Sequence, residues 1–502
     1  MSIDYIVIQA GGKGTRLKYL TRNKPKGIVP VNNLPIIFHL FRKYPEKRFI
    51  IIGDYKHEIL EKYLEAFAKV KYITVKANGT GTCAGVQEAI SFIPEKTPFM
   101  LIWSDLILGE EIDIDRCENK NYLGISKDFE CRWSFKKEKF EEVPSKEHGV
   151  AGMFLFTSKS ELEGIPQEGE LVRWMSQQKI PFEEFPLYGT REVGTLLALE
   201  ESEQVKYRCR PFNSMEVQGN ILIKKPVDAQ GEKLAVRERN WYREVEKYQF
   251  KQIPKMYKLE PLTMEKIQGM NIYQTNLNIE KKKVVIDNLI DSLNKLHSLK
   301  KVPADAFSMM EAYYHKTVNR LADVRDLIPF AEERYIRING RNCRNPYFYK
   351  DEIRIKVEKE LCEAAEFALI HGDCTFSNTM VDENLNVIFL DPRGYFGFQE
   401  LYGDINYDWA KLYYSIAGDY DQFNNKNFHL TIKEEEVDLE IASNGWKEVG
   451  DYFLENLPDC KPEKIKFLHA LIWLSLTTYA WEDFDSICGA FYKGTYLLEE
   501  IL

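Results

Sequence analysis

Three polar side chains late in the chain stand at a spacing that suits phosphoryl transfer. The stretch from His371 to Arg393 reads HGDCTFSNTMVDENLNVIFLDPR. Asp373 and Asn378 are five residues apart, and Asp391 follows the β-like run Val387-Ile388-Phe389-Leu390. Moving a phosphate from a nucleotide to an alcohol takes a carboxylate that orients the hydroxyl and accepts its proton. It also takes an amide oxygen and a second carboxylate to hold the Mg²⁺ that bridges the phosphates. Asp373 suits the first task, and Asn378 with Asp391 suits the second. His371 reads as a brace for the loop. The bland alternative is a polar hairpin with Asp and Asn in its turns.

A second set of candidates lies at the front. Tyr5-Ile6-Val7-Ile8 is a continuous apolar run, as expected of a strand buried on both faces. It leads into a loop with Gly11, Gly12, Gly14 and Thr15, flanked by Lys13 and Arg16. Glycines let backbone N–H groups come close to phosphates, and the two cations add charge. Lys24-Pro25-Lys26 follows ten residues on. Gly79 to Gly85 forms a second glycine-rich turn with Gly81 and Thr82. The run Phe99 to Trp103 ends in Ser104-Asp105, which puts the Asp105 carboxylate at the edge of a sheet where ligands bind in open α/β folds.

The elements that must position these residues can be outlined from pattern. In the front part, strands over Arg48–Gly53 and Tyr72–Val75 alternate with a helix over Glu58–Lys69. Such alternation predicts a mostly parallel sheet covered by helices. Asn213–Lys225 predicts a hairpin turning at Gly219-Asn220. Helices are expected over Lys233–Tyr248, Val284–Leu299 and Lys356–Phe367, with residues 306–368 mostly helical and further helices from Glu434 on. Arg-rich turns at Arg334–Arg344 could contact a phosphate or only solvate a loop.

The run GGKGTRL…KPK…PV…LP resembles the signature of the sugar-phosphate nucleotidyltransferases, a Rossmann-like family that joins an NTP to a phosphorylated compound and releases pyrophosphate. That resemblance implies that Arg16 grips the triphosphate and that Lys26 neutralises the reacting phosphates. It implies that Gly81 and Thr82 approach the base, that Asp105 binds metal, and that Glu192 in Glu192-Val193-Gly194-Thr195 supplies the second metal ligand. Glu168, Glu170 and Arg173 lie where the family often meets its second substrate. The His371–Arg393 block resembles the catalytic and metal loops of the aminoglycoside phosphotransferase and choline kinase superfamily, a branch of the protein-kinase-like fold. That resemblance implies a nucleotide-facing lysine, Lys224 or Lys225 according to strand phase, with Lys224 preferred. Its partner carboxylate is Glu238, or else Glu244. The strand Leu262–Ile267 would be a hinge whose backbone at Glu265 and Ile267 meets adenine. His297 is expected to be structural, and Asp408 to cap or brace the active loop. Choline kinases usually carry Asp-Trp-Glu-Tyr where this chain has Asp391-Pro392-Arg393-Gly394, which weakens a choline assignment.

Length and composition bound the rest. With 502 residues, two or three domains are expected. The reading is an α/β nucleotidyltransferase domain over 1–204 and a bilobal kinase-like α+β domain over 205–502, with a small lobe to about 270 and a large lobe from about 271. A net charge of −9 argues against a nucleic-acid partner. Nine cysteines without a CxxC pair suggest reduced thiols. Met1-Ser2-Ile3-Asp4 runs straight into a strand, so a cytoplasmic location is expected. The apolar segment Phe467–Trp481 is short for a membrane span and predicts a buried helix. Homo-oligomerisation stays open. The two resemblances together imply a bifunctional enzyme. ATP phosphorylates a sugar or polyol, and a second NTP, CTP or UTP, then caps that phosphate, giving a precursor for surface polysaccharide. One alternative is a choline or ethanolamine kinase fused to its cytidylyltransferase. Another is that one half is an inactive nucleotide-binding module.

Overall fold

The computed structural model describes residues 1–202, 213–458 and 460–502. The chain divides into two compact units, Met1–Lys206 with Glu482–Phe484, and Tyr207–Trp481 with Asp485–Leu502. The join anticipated near residue 205 lies outside the described residues.

The first unit is built on a seven-stranded sheet. Its spatial order is Glu183–Leu187, Tyr122–Ser126, Val150–Phe156, Phe99–Trp103, Tyr5–Gln9, Arg48–Gly53 and Lys71–Lys76. Only Val150–Phe156 runs against its neighbours; the other pairings are parallel. The central strands are apolar because both faces are covered. Val7, Phe99, Leu101 and Phe154 are wholly buried in one core, each contributing about 1.5–3 kcal/mol of transfer free energy. The helix expected over Glu58–Lys69 is His57–Phe67, since Ala68 turns to extended backbone. A helix, Leu196–Ser202, follows, its first turn held by the Thr195 hydroxyl accepting from the Ala198 N–H.

The second unit opens with a four-stranded antiparallel sheet ordered Asn213–Gln218, Ile221–Pro226, Leu262–Glu265, Met256–Leu259. Gly219 takes positive φ at the first hairpin turn. The helix Ala229–Lys247 follows, starting four residues before the expected Lys233. Asp228 caps it there, its carboxylate accepting from the Gly231 N–H at 2.8 Å. The remainder of the unit contains the helices Ile279–Ser298, Ile405–Ile416 and Pro462–Ser475, with the hairpin Thr379–Val381/Val387–Phe389 beneath the catalytic candidates. Pro462–Ser475 holds most of the apolar segment noted above and is buried. No helix of the described residues is long and apolar enough to cross a membrane.

Three helical expectations in this unit hold only in part. Residues 306–368 contain a hairpin, Tyr335–Ile338 with Arg341–Arg344. It turns at Asn339-Gly340, both at positive φ, the dipeptide that two-residue hairpins favour. The helix expected over Lys356–Phe367 is Lys350–Glu360, and Phe367 lies in the strand Glu366–Leu369. A hairpin of Phe428–Ile432 and Val437–Ile441 occupies the region just before and after Glu434.

Candidate active sites

In the first unit the parallel strands Tyr5–Gln9 and Phe99–Trp103 are neighbours, with Gln9 level with Trp103. Their C-terminal loops therefore emerge side by side. One carries Gly11, Gly12 and Gly14; the other carries Asp105, which is 6% exposed. Gly14 sits at φ 66° and hands the chain into the short helix Thr15–Thr21, where Arg16 is. A Cβ there would lie 3.1 Å from the Lys26 Cβ, so the loop closes onto the Lys26 turn. The Lys26 ammonium is ion-paired with Asp105.

Glu192 reaches the same place by a separate route. The two-residue strands Leu106–Ile107 and Arg191–Glu192 pair antiparallel, with Glu192 opposite Leu106, and the Val193 N–H donates to the Asp105 carbonyl at 2.9 Å. Both carboxylates then converge over Gly194. A Cβ placed on that glycine would lie 2.3 Å from Glu192 Oε1 and 2.8 Å from Asp105 Oδ2. Burial, and then the charge of Asp105, raise the Glu192 pKa against the opposing pull of Arg16 and Lys26. Arg16 Nη2 stands 3.7 Å from Glu192 Oε1. Two carboxylates this close, one of them ion-paired to a lysine, have the donor chemistry of a hard divalent cation. Gly81 and Thr82 are tied to the same edge. The Gln9 amide donates to the Thr82 carbonyl at 2.7 Å, and the Thr82 hydroxyl accepts from the Leu171 N–H at 2.8 Å. Glu170 and Arg173 lie in an exposed network with Arg132, Glu142 and Trp133.

In the second unit strand phase separates the two lysines. Lys224 points inward with a 12% exposed side chain, whereas Lys225 is 50% exposed and pairs with Glu216. The Lys224 ammonium bridges Glu238 and Asp391, each at 2.9 Å. Burial pushes Glu238 up to about 7 against the pull of Lys224. Burial also raises Asp391, but Lys224 outweighs it and holds that carboxyl below its usual range. Glu244, the other candidate partner, is held by Lys247 and Tyr402 instead. Glu265 lies at the end of its strand, level with Ile221, and its side chain is exposed. Among the described residues the Ile267 N–H makes no backbone hydrogen bond.

Asp373 and Asn378 are in contact. The Asn378 amide donates to the Asp373 carboxylate at 3.0 Å and to its carbonyl at 2.9 Å, which leaves the Asn378 oxygen as a ligand for a cation. Lys411 stands 2.8 Å from the other Asp373 oxygen. Burial raises the Asp373 pKa, but Lys411 and Arg393 more than cancel this and keep it ionised. His371 Nε2 bonds the Leu390 carbonyl at 2.9 Å, and its Nδ1 accepts from the Asp373 N–H at 3.2 Å. These two bonds fix a neutral imidazole, and burial lowers its pKa accordingly. Asp408 is the hub beneath the loop. Its carboxylate accepts from the His371 and Gly372 N–H groups at 2.9 and 2.7 Å, and its Oδ2 lies 3.0 Å from His297 Nε2. His297 is thus buried structure.

Residues 5–116 match the family model described as nucleotidyl transferase. The front of this chain is a nucleotidyl transferase domain. The chain is 30% identical over 155 residues to the bifunctional protein GlmU of Methanococcus maripaludis, covering 28% of this chain and 37% of that protein. It thus spans little more than a third of that relative's length. It is 27% identical over 198 residues to D-glycero-alpha-D-manno-heptose 1-phosphate guanylyltransferase of Campylobacter jejuni, covering 36% of this chain and 83% of the relative. Among solved structures, HddC from Yersinia pseudotuberculosis aligns with 40% of this chain and 99% of its own, at 20% identity and a TM-score of 0.35.

Sequence spacing alone did not mark several residues that the fold brings to these sites. Gly194 of the nucleotidyl transferase domain is the seat of the carboxylate pair. In the second unit Lys411 is the ion-pair partner of Asp373. It follows Asp408 by three residues on one helix, so both share a face, and that spacing was a usable signal.

Proposed function

We propose that the chain is a bifunctional enzyme. Its second unit phosphorylates a small hydroxyl compound with ATP, and its nucleotidyl transferase domain joins the resulting phosphate to a second NTP. The observation that carries the first half of this reading is the convergence of Asp105 and Glu192 over Gly194, beside Lys26. There Asp105 and Glu192 would hold Mg²⁺, which supplies charge neutralisation at the α-phosphate. Arg16 and the Gly11–Gly14 loop bind the triphosphate. A phosphate oxygen of the acceptor forms the new bond to the α-phosphorus as the α–β bond breaks and pyrophosphate leaves.

For the second half, support comes from the lysine that joins Glu238 to Asp391, with Asp373 and Asn378 in contact nearby. Lys224 orients the phosphates, and Asn378 with Asp391 would hold the magnesium ion. Asp373 accepts a hydrogen bond from the acceptor hydroxyl and takes its proton as the oxygen bonds to the γ-phosphorus and ADP departs. The backbone at Glu265 and Ile267 meets adenine on this reading. The protein works in the cytoplasm and needs no nucleic-acid partner.

The second NTP is CTP or UTP on this reading. The guanylyltransferase relative makes GTP the first competitor. Pyrophosphate release is measured with all four NTPs against a panel of sugar and polyol phosphates, and ADP release with the unphosphorylated compounds. Asp105→Ala abolishes the first activity and spares the second; Asp373→Ala does the reverse. If either change in a folded protein removed both activities, two independent sites would be the wrong description.

A further inference from the structure

Beside Asp373 the second unit gathers cations that its own carboxylates do not neutralise. Arg393 packs against the catalytic loop: a Cβ on Gly372 would lie 2.9 Å from the Arg393 Cβ. Its guanidinium donates to the Tyr407 and Tyr395 hydroxyls at 2.7 and 2.8 Å. Arg237 lies over the Tyr395 ring at 4.0 Å, and Lys316 over the Tyr407 ring at 5.4 Å. Arg320 reaches the same place, with one N–H given to the Ser475 carbonyl at 2.5 Å.

Among the described residues, Arg237, Lys316, Arg320 and Arg393 have no carboxylate within 4 Å, and the Lys316 ammonium makes no hydrogen bond. Asp373 acts on Arg393 but is held by Lys411, and Glu311 acts on Lys316 without forming an ion pair with it. Burial, then Arg393, Arg320 and Lys411, drive the Lys316 pKa well down against the pull of Glu311, so a bound anion is what would hold this ammonium charged. Although burial raises Tyr395, the arginines Arg393, Arg320 and Arg237 pull its phenol below the ordinary value. These residues are half-buried, and guanidinium charges with no carboxylate in contact make a positive potential. Guanidinium groups in such a place bind phosphate or carboxylate.

We infer that Lys316, Arg320 and Arg393 form an oxyanion-binding subsite next to Asp373, which takes a phosphate or carboxylate group already present on the acceptor. This rests on the kinase reading only for the word acceptor; the anion site itself does not. The substrate class then narrows to acidic hydroxyl compounds, such as sugar phosphates or aldonates. A quaternary ammonium would be repelled.

Inorganic phosphate is the direct probe, titrated calorimetrically into the full chain. Phosphate is expected to bind, and Lys316→Met and Arg320→Gln are each expected to weaken it at least tenfold. Lys316→Met should not lower the melting temperature without phosphate, because its ammonium makes no hydrogen bond, whereas Arg320→Gln should lower it by a few degrees, because the Ser475 carbonyl loses its donor. The second arm compares glucose, gluconate and glucose 6-phosphate as ATP acceptors. The acidic members should be preferred at least tenfold, and Arg320→Gln should raise their KM while leaving the KM for ATP within twofold. Phosphate binding that is absent, or unchanged in both variants, overturns the proposal. So does equal use of the neutral sugar. If phosphate binds at these residues while no compound is ever phosphorylated, the anion site stands and the kinase reading fails.

Discussion

Gly194→Ala isolates the carboxylate pair of the nucleotidyl transferase domain. The glycine needs no left-handed backbone, so alanine suits its φ and ψ. What the added methyl meets is the tip of Glu192, at 2.3 Å, and of Asp105, at 2.8 Å. Ordinary carbon contacts begin near 3.4 Å, so the Glu192 oxygen must retreat by about 1 Å. The far end of a flexible side chain can do this at little cost to folding. A metal ligand or a phosphate-positioning group cannot, since an error of about 1 Å is worth about 10²-fold in rate, or about 2.7 kcal/mol of barrier. The variant should therefore melt within a few degrees of the parent while pyrophosphate release falls about 100-fold. Mn²⁺ binding to the domain, followed by electron paramagnetic resonance, should weaken in parallel. ATP-dependent phosphorylation by the second unit should not change. A Gly194→Ala protein that keeps a third or more of its pyrophosphate release would refute the assignment of Asp105 and Glu192 to one cation.

Three further outcomes follow from the second unit. Asp408→Ala leaves the His371 and Gly372 N–H groups without their buried acceptor; at about 1–3 kcal/mol each, urea denaturation should show a loss of several kcal/mol, and Asp408→Asn a smaller one. Lys224→Ala strands the buried Glu238 carboxyl, which should cost about 3–5 kcal/mol and abolish ADP release, whereas Lys225→Ala should leave both unchanged. His469 is buried, its Nε2 accepting from the Trp473 indole at 2.9 Å, and burial lowers its pKa to about 3. A depressed pKa of this kind stabilises the fold above the unfolded value near 6.5 and loses that contribution as pH falls toward the folded value. Between pH 7 and pH 5 the unit should lose about 2 kcal/mol from this group, and His469→Gln should flatten the dependence in urea midpoints.

Much of the strand pattern, and the placement of several candidate residues, could be read from local patterns. The apolar runs at Tyr5–Ile8 and Phe99–Trp103 became the sheet centre because a strand covered on both faces carries no alternation to misread. Lys224 against Lys225 was a question of phase, and the hairpin register decided it by turning one lysine in and the other out. The Asn339-Gly340 turn was equally legible and was outweighed by the charged, helix-compatible residues around it. Gly194 stood in the quoted run with Glu192, but its role did not show there. Its importance lies in the approach of Asp105, far earlier in the chain, to the Glu192 carboxylate beside it.

The arginines make the same point about charge. The Arg-rich stretch Arg334–Arg344 stood out in the sequence, yet Arg337, Arg341 and Arg344 are paired with Glu436, Glu500 and Glu499. Their charge is spent within the fold. Lys316 and Arg320 share one helix, and Arg393 stands more than seventy residues further on. Lys316 and Arg393 meet around Tyr407 and Tyr395 with no carboxylate in ion-pair contact. Clustering along a sequence reports how charged a loop is. Only the fold reports whether that charge is already answered, and the charge left without a carboxylate beside Asp373 is the one the proposed anion site would use.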